Sequence, residues 1–171
     1  IDAIEAGLKV HRGKALINSI SARPERIEAL MPLAKRYDAG FIGLMLGTDG
    51  IPRDANERGF LAAQIMAEAA NYGIPEEDIW LDPIVLPINS QQIQVQGCTE
   101  FVMMLTELAP NSKSTCGLSN VSNGCPAHLR GILNRTYLVM IKRYGMYSAI
   151  VDAFDAELRE IARGNRPDIE S

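Results

Sequence analysis

Gly117-Leu-Ser-Asn-Val-Ser122, set directly after Lys113-Ser-Thr-Cys116, reads as a strand running out into a glycine-led polar turn. A strand that ends in small polar residues places fixed hydrogen-bonding groups at its carboxyl end. Parallel α/β sheets and barrels bind their ligands there. Two more predicted strands end in the same manner, Lys14-Ala-Leu-Ile-Asn18 and Ile79-Trp-Leu-Asp82. Three such ends in one chain predict a single polar site at one mouth of an α/β fold.

Outward from that stretch, hydrophobic periodicity predicts alternating strands and helices. Residues 1–10 read as a helix already in progress. Strands are predicted over 14–18, 41–46, 79–82, 113–119 and 148–152. FIGLML at 41–46 is a continuous apolar run, the pattern of a strand buried on both faces. A helix over 24–36 carries Ile27, Leu30, Met31 and Ala34 at helical spacing. The longest helix, 54–71, is stopped by Asn71-Tyr-Gly73 and Pro75. Residues 98–108 repeat the pattern with Phe101, Met104, Leu105 and Leu108, and 126–144 with Leu129, Ile132, Leu133 and Met140 inward. Phe154, Leu158 and Ile161 mark a last helix, which Asp152 is placed to cap. Residues 83–96 read as the longest βα loop. Five βα units follow the opening helix. An eight-stranded barrel and a five-stranded doubly wound sheet both accommodate that order.

The chain's 171 residues suffice for one domain with a real core, and its 47% hydrophobic and 22% charged residues are ordinary for a soluble globular protein. A net charge of -4 argues against a nucleic-acid partner, because phosphate binding draws on a basic stripe. No apolar run approaches a membrane span, and there is no signal-peptide pattern. Three cysteines without framework spacing point to a reducing, cytoplasmic compartment. The first residue is Ile1, and ARGNRPDIES carries no helix stop. Residues 1–171 are therefore expected to be one partial domain, cut at both ends from a longer chain.

Each polar strand end has a plainer alternative. Asn18 could cap its own turn, and Asp82-Pro83 could simply begin one. Neither histidine, His11 or His128, ends a strand. Cys125-Pro-Ala-His128 has the spacing of half a zinc site, and no second pair completes it. Cys98 and Cys116 read as buried packing residues. There is no glycine-rich phosphate loop, Ser-His-Asp pattern or nucleophile elbow. What is left is rich in amides and acceptors, with one sure carboxylate. Such a site orients a flat, hydrogen-bonding heterocycle and offers no conventional nucleophile.

These strand ends resemble the pterin-binding methyltransferases, of which the methyltetrahydrofolate:corrinoid/iron–sulfur protein methyltransferases are the nearest in look. The folate domain of cobalamin-dependent methionine synthase is a relative. The matching segments are AIEAGLK at 3–9, ALINS at 15–19, FIGLML at 41–46, TDGIPRD at 48–54, WLDPIVLP at 80–87, GLSNVS at 117–122 and LNRTYL at 133–138. They run in family order and cover nearly the whole chain.

The resemblance implies a TIM barrel of the dihydropteroate synthase-like type, with about five of its eight strands here. It implies that Asn18 and Asp82 hydrogen-bond a pterin ring. Asn120 falls on the position that contacts the methyl-bearing nitrogen, and Gly117, Ser119 and Ser122 line the same strand end. A further pterin-binding Asp is expected upstream of Ile1. The implied reaction moves the methyl group of methyltetrahydrofolate, or a related methylated pterin, to the cobalt(I) of a corrinoid (cobalamin) on a separate protein. This chain then binds no metal or cofactor of its own, and a homodimer is implied for the full-length protein. Two other readings stand beside it. Dihydropteroate synthase shares the fold, but its family shows Ser-x-Arg on a late strand where this chain has Leu118-Ser-Asn120. A non-catalytic module that binds a pterin or a corrinoid protein is the other.

Overall fold

The apolar run expected to be buried on both faces lies inside the sheet. In the computed structural model, which describes residues 1–170, β2 (Gly40–Leu44) stands between β1 (Leu16–Ser21) and β3 (Ile79–Asp82), and β4 (Lys113–Ser114) follows β3. All three pairings are parallel. Parallel neighbours need a crossover. Here the crossovers are α2 (Pro24–Arg36), α3 (Ala55–Asn71) and α4 (Gln92–Leu108). Before the sheet comes α1 (Asp2–Val10); after it come α5 (Ala127–Arg143), α6 (Ala156–Ala162) and α7 (Pro167–Glu170). The strands lie side by side in chain order, with no reversal at a switch point. That order belongs to a TIM barrel, and it removes the doubly wound alternative. It also puts every strand's carboxyl end at one edge.

Two cores hold the layers. The first packs Phe41, Ile65 and Leu81 with Leu30 and Met31 of α2. All five are wholly buried, and each contributes roughly 1.5–3 kcal/mol. The second gathers Cys98, Cys116, Val121, Tyr137, Ile141 and Leu158. Asp54 caps α3 by accepting the Glu57 N–H at 2.9 Å, and the Glu57 carboxylate returns to the Arg53 N–H at 2.8 Å.

Several boundaries differ from the sequence reading. β1 runs on through Ser21, so Asn18 lies within the strand, beside a register break between Asn18 and Ile20. α4 begins at Gln92, six residues earlier than the polar QIQVQG stretch suggests. Gly97 packs there against the start of α3, close to Asp54 and the Arg58 guanidinium. β4 is two residues long, and residues 118–122 turn into a 3-10 helix, since Ser and Asn side chains compete with ladder bonding. The fifth strand expected at 148–152 is reduced to a single parallel bridge, Gly117 with Ile150. Even so, the Ile150 N–H reaches Cys116 O at 2.8 Å, and Leu118 N–H reaches Ile150 O at 3.1 Å.

α5 turns Asn134, Tyr137, Leu138 and Ile141 inward and leaves Leu129, Ile132 and Met140 exposed. Its phase is set by the Tyr137 and Ile141 contacts with the second core. On α4, Phe101 and Leu105 are buried as expected, while Met104 and Leu108 are exposed. Phe154 precedes α6 and is 96% exposed. The cap of α6 is Asp155, which accepts the Leu158 N–H at 3.0 Å and pairs with Arg135 at 2.8 Å. Asp152 instead accepts the Phe154 N–H.

Candidate functional site

Asp82 closes β3, partly buried, at the edge where the parallel strands end. Its carboxylate accepts the Ile84 N–H at 2.9 Å across Pro83. This Asx turn holds Ile84 at a φ of 62°, a left-handed conformation that a β-branched residue seldom adopts. Burial pushes the Asp82 carboxyl up to about 6, and the Ile84 N–H opposes part of that rise. Near neutral pH the group is therefore mostly ionised, poorly solvated, and short of hydrogen-bond donors.

Asn120 stands one strand further along, on the 3-10 turn after β4. Its side chain is exposed, and its amide nitrogen folds over Gly117, where a Cβ would come within 3.1 Å. The turn is pinned from behind. Ser122 is wholly buried; its hydroxyl donates to Ser119 O at 3.2 Å and accepts from Arg130 Nε at 3.2 Å. Ser119 is partly buried, and Gly117 carries the bridge to Ile150. The structure thus brings Asp82 and the 117–122 turn to neighbouring strand ends. Within the turn it separates an outward amide, Asn120, from an inward hydroxyl, Ser122.

Asn18 is placed differently. It is exposed on β1, level with Ile42 of β2, which is level with Trp80 of β3. It therefore sits two residues short of the Asp82 level. It lines a groove of about 280 Å³ with Ile4, Leu8, His11 and Leu16. A cavity of about 690 Å³ includes none of the expected site residues; Thr48, Ile51 and Arg53 of the β2–α3 connection and Phe60 and Gln64 of α3 line it.

The sequence reading missed Arg58. Its guanidinium lies directly behind the Asp82 turn and donates to Pro83 O at 3.0 Å. Its one sequence signal is an arginine at a position where α3 turns to the core. Cys98 and Cys116 are buried packing residues, as expected. Burial raises both thiols, Cys98 to about 11. Among the described residues no three His, Cys, Asp or Glu side chains come together as a metal site, and no helix is long and apolar enough to cross a membrane.

A family model described as pterin binding enzyme matches residues 1–152. The chain belongs to the pterin-binding enzyme family. Within it, the chain is similar to a methylcorrinoid:tetrahydrofolate methyltransferase of Eubacterium limosum, 24% identical over 153 residues that cover 88% of this chain and 56% of that protein. It is also similar to methionine synthase of Mycobacterium tuberculosis, 28% identical over 160 residues, or 88% of this chain and 13% of that one. Among solved structures, dihydropteroate synthase of Xanthomonas albilineans superposes with a TM-score of 0.69 at 15% identity, covering 96% of this chain and 62% of that one. The Yersinia pestis dihydropteroate synthase gives 0.62 at 14%, covering 97% and 77%. These likenesses agree with the sequential parallel sheet in showing the TIM-barrel fold. The chain spans a little over half the length of the methyltransferase that it matches.

Proposed function

We propose that this chain is the pterin-holding part of an enzyme that transfers a methyl group between methyltetrahydrofolate and the cobalt of a corrinoid carried by a separate protein. The observation that carries the reading is the pairing of a half-desolvated carboxylate, Asp82, with an exposed amide, Asn120, on adjacent strand ends. Family membership and the likeness to a methylcorrinoid:tetrahydrofolate methyltransferase support it. No basic side chain occupies the turn at Leu118-Ser-Asn120, which counts against dihydropteroate synthase chemistry.

In this reading the ionised Asp82 accepts the paired N–H groups of the pterin's amino-pyrimidine edge, a charge-assisted contact that fixes the ring. Asn18 holds the ring from β1. Asn120 donates its amide N–H toward the methyl-bearing nitrogen. As the carbon–nitrogen bond breaks, its electron pair stays on that nitrogen, which takes up a proton from solvent to leave an N–H, and the methyl carbon bonds to cobalt(I), the second substrate, through the cobalt's own electron pair. The donor's hydrogen bond strengthens while charge builds on nitrogen, which selectively stabilises the transition state. The same transition state serves the reverse direction. The chain holds no cofactor of its own in this scheme.

The test uses the full-length protein with methyltetrahydrofolate and cobalt(I) corrinoid, following methylcobalt formation by absorbance. Turnover that depends on both substrates supports the reading. Pterin binding without methyl transfer would leave a binding module in its place.

A further inference from the structure

Arg58 is wholly buried, yet every acceptor it meets is neutral and each comes from a different place. Nε donates to Pro83 O at 3.0 Å, Nη1 to Asp54 O at 3.1 Å, and Nη2 to Gln94 Oε1 at 2.9 Å. These are the turn after β3, the cap of α3 and the first turn of α4. A buried guanidinium whose hydrogen bonds all go to neutral oxygens is costly, and a hydrophobic side chain of similar size often serves stability better. Packing alone does not explain the choice of arginine.

The geometry shows what the fork holds. Pro83 C=O and Ile84 N–H belong to one peptide unit. Arg58 grips its oxygen, and Asp82 grips its N–H at 2.9 Å. That unit leads into Ile84 at a φ of 62°, a conformation that persists only where the surroundings over-determine it. Were the oxygen released, the peptide plane could rotate and relieve Ile84, and Asp82 would lose the N–H that orients it.

We propose that Arg58 is the positioning residue of the Asp82 site: by clamping the Pro83–Ile84 peptide to the starts of α3 and α4, it fixes the carboxylate at the end of β3. The proposal deepens the pterin reading and rests on it for the role of Asp82, but its first test needs no pterin.

That test is a carboxyl-carbon NMR titration of the full-length protein, with the Asp82 signal assigned by its loss in Asp82→Asn. The wild-type signal should titrate at about 6. Arg58→Lys keeps the charge, but one nitrogen cannot stand where the fork's three do. With its N–H donor gone and its burial kept, Asp82 should titrate higher, by about one unit. The thiols that interact with it, Cys98 of α4 and Cys116 after β4, are raised by burial and do not titrate in that window. Asp54 and Glu57, which face Arg58, are kept in every variant. Gln94→Met removes one anchor of the fork and should give a smaller rise; if Arg58→Lys does not fold, Gln94→Met decides alone. An unmoved or lowered Asp82 titration overturns the proposal, since a purely structural arginine would change melting temperature and leave Asp82 as it was. Pterin titration then separates the two ideas. Arg58→Lys should bind methyltetrahydrofolate about tenfold more weakly at neutral pH. If Asp82→Asn binds it as wild type does, the pterin reading fails, and the NMR result still judges Arg58.

Discussion

The ends of β3 and β4 carry the two central residues of the proposed site, and they are built in opposite ways. β3 stops against buried neighbours. Asp82 is half-desolvated, bonded to Ile84, and backed by a fully buried arginine. β4 is two residues long, and Asn120 stands exposed on a 3-10 turn held from behind by Ser122, which bonds Ser119 O and Arg130. A rigid, desolvated carboxylate suits recognition of a ring that keeps its hydrogen bonds throughout the reaction. An exposed amide suits a contact completed once pterin and corrinoid are both in place. The difference between the strand ends therefore predicts a division of labour between binding and chemistry.

The most direct way to break that comparison is Asn120→Ala in the full-length protein. The single-turnover rate of methyl transfer should fall about a hundredfold or more, the equivalent of ~2–4 kcal/mol, with pterin affinity nearly unchanged. Rate and affinity falling together would put Asn120 in ordinary ground-state binding. Asp82→Ala should do the reverse. Methyltetrahydrofolate should bind about ten- to a hundredfold more weakly, as loss of a hydrogen bond to a charged group implies, with a smaller change at saturation. Calorimetric titration beside the same kinetic assay reads both.

Asp82→Asn sharpens the contrast through stability. A carboxyl raised to about 6 in the folded protein binds its proton more tightly folded than unfolded. Its contribution is fully present below the ordinary carboxylate range and is lost as pH rises through about 6. The asparagine avoids that loss and can still accept the Ile84 N–H. It should stabilise the protein by about 1–3 kcal/mol at neutral pH and leave stability near pH 4 unchanged. Melting curves at the two pH values check this, and equal gains at both would show that burial does not govern Asp82. The smallest effect concerns Ser122. Its hydroxyl is engaged inward, so Ser122→Ala should cost about 1 kcal/mol of stability. Pterin affinity should stay as it was; an affinity loss without a stability loss would bring Ser122 into the site.

Much of this was legible along the chain. Helix α2, strand β3 and the stop of α3 fall where periodicity and Asn71-Tyr-Gly73 put them. Asp82 was legible as a strand end because Asp-Pro after an apolar run has few other places to be. Three features were not. α4 begins at Gln92, and its first turns pack across the start of α3 near Gly97, a contact between segments about 40 residues apart. The inward face of α5 is chosen by Tyr137 and Ile141 against the second core, while the equally apolar Leu129 and Ile132 face out. Arg58 looks like any surface arginine until Pro83 and Gln94 close over it.

By itself the sequence determined the alternation of elements through β3, the family, and the polar strand end at Asp82, because propensity, turn chemistry and apolar period act over a few neighbouring residues. The tertiary structure alone decided that the strands lie in chain order as in a barrel, that Asn18 sits inside β1, and that Ser122 faces in while Asn120 faces out. It also decided that Asp82 is desolvated over a buried guanidinium. These are properties of the surroundings of a side chain. Desolvation and packing depend on groups that meet only when distant parts of the chain are brought together.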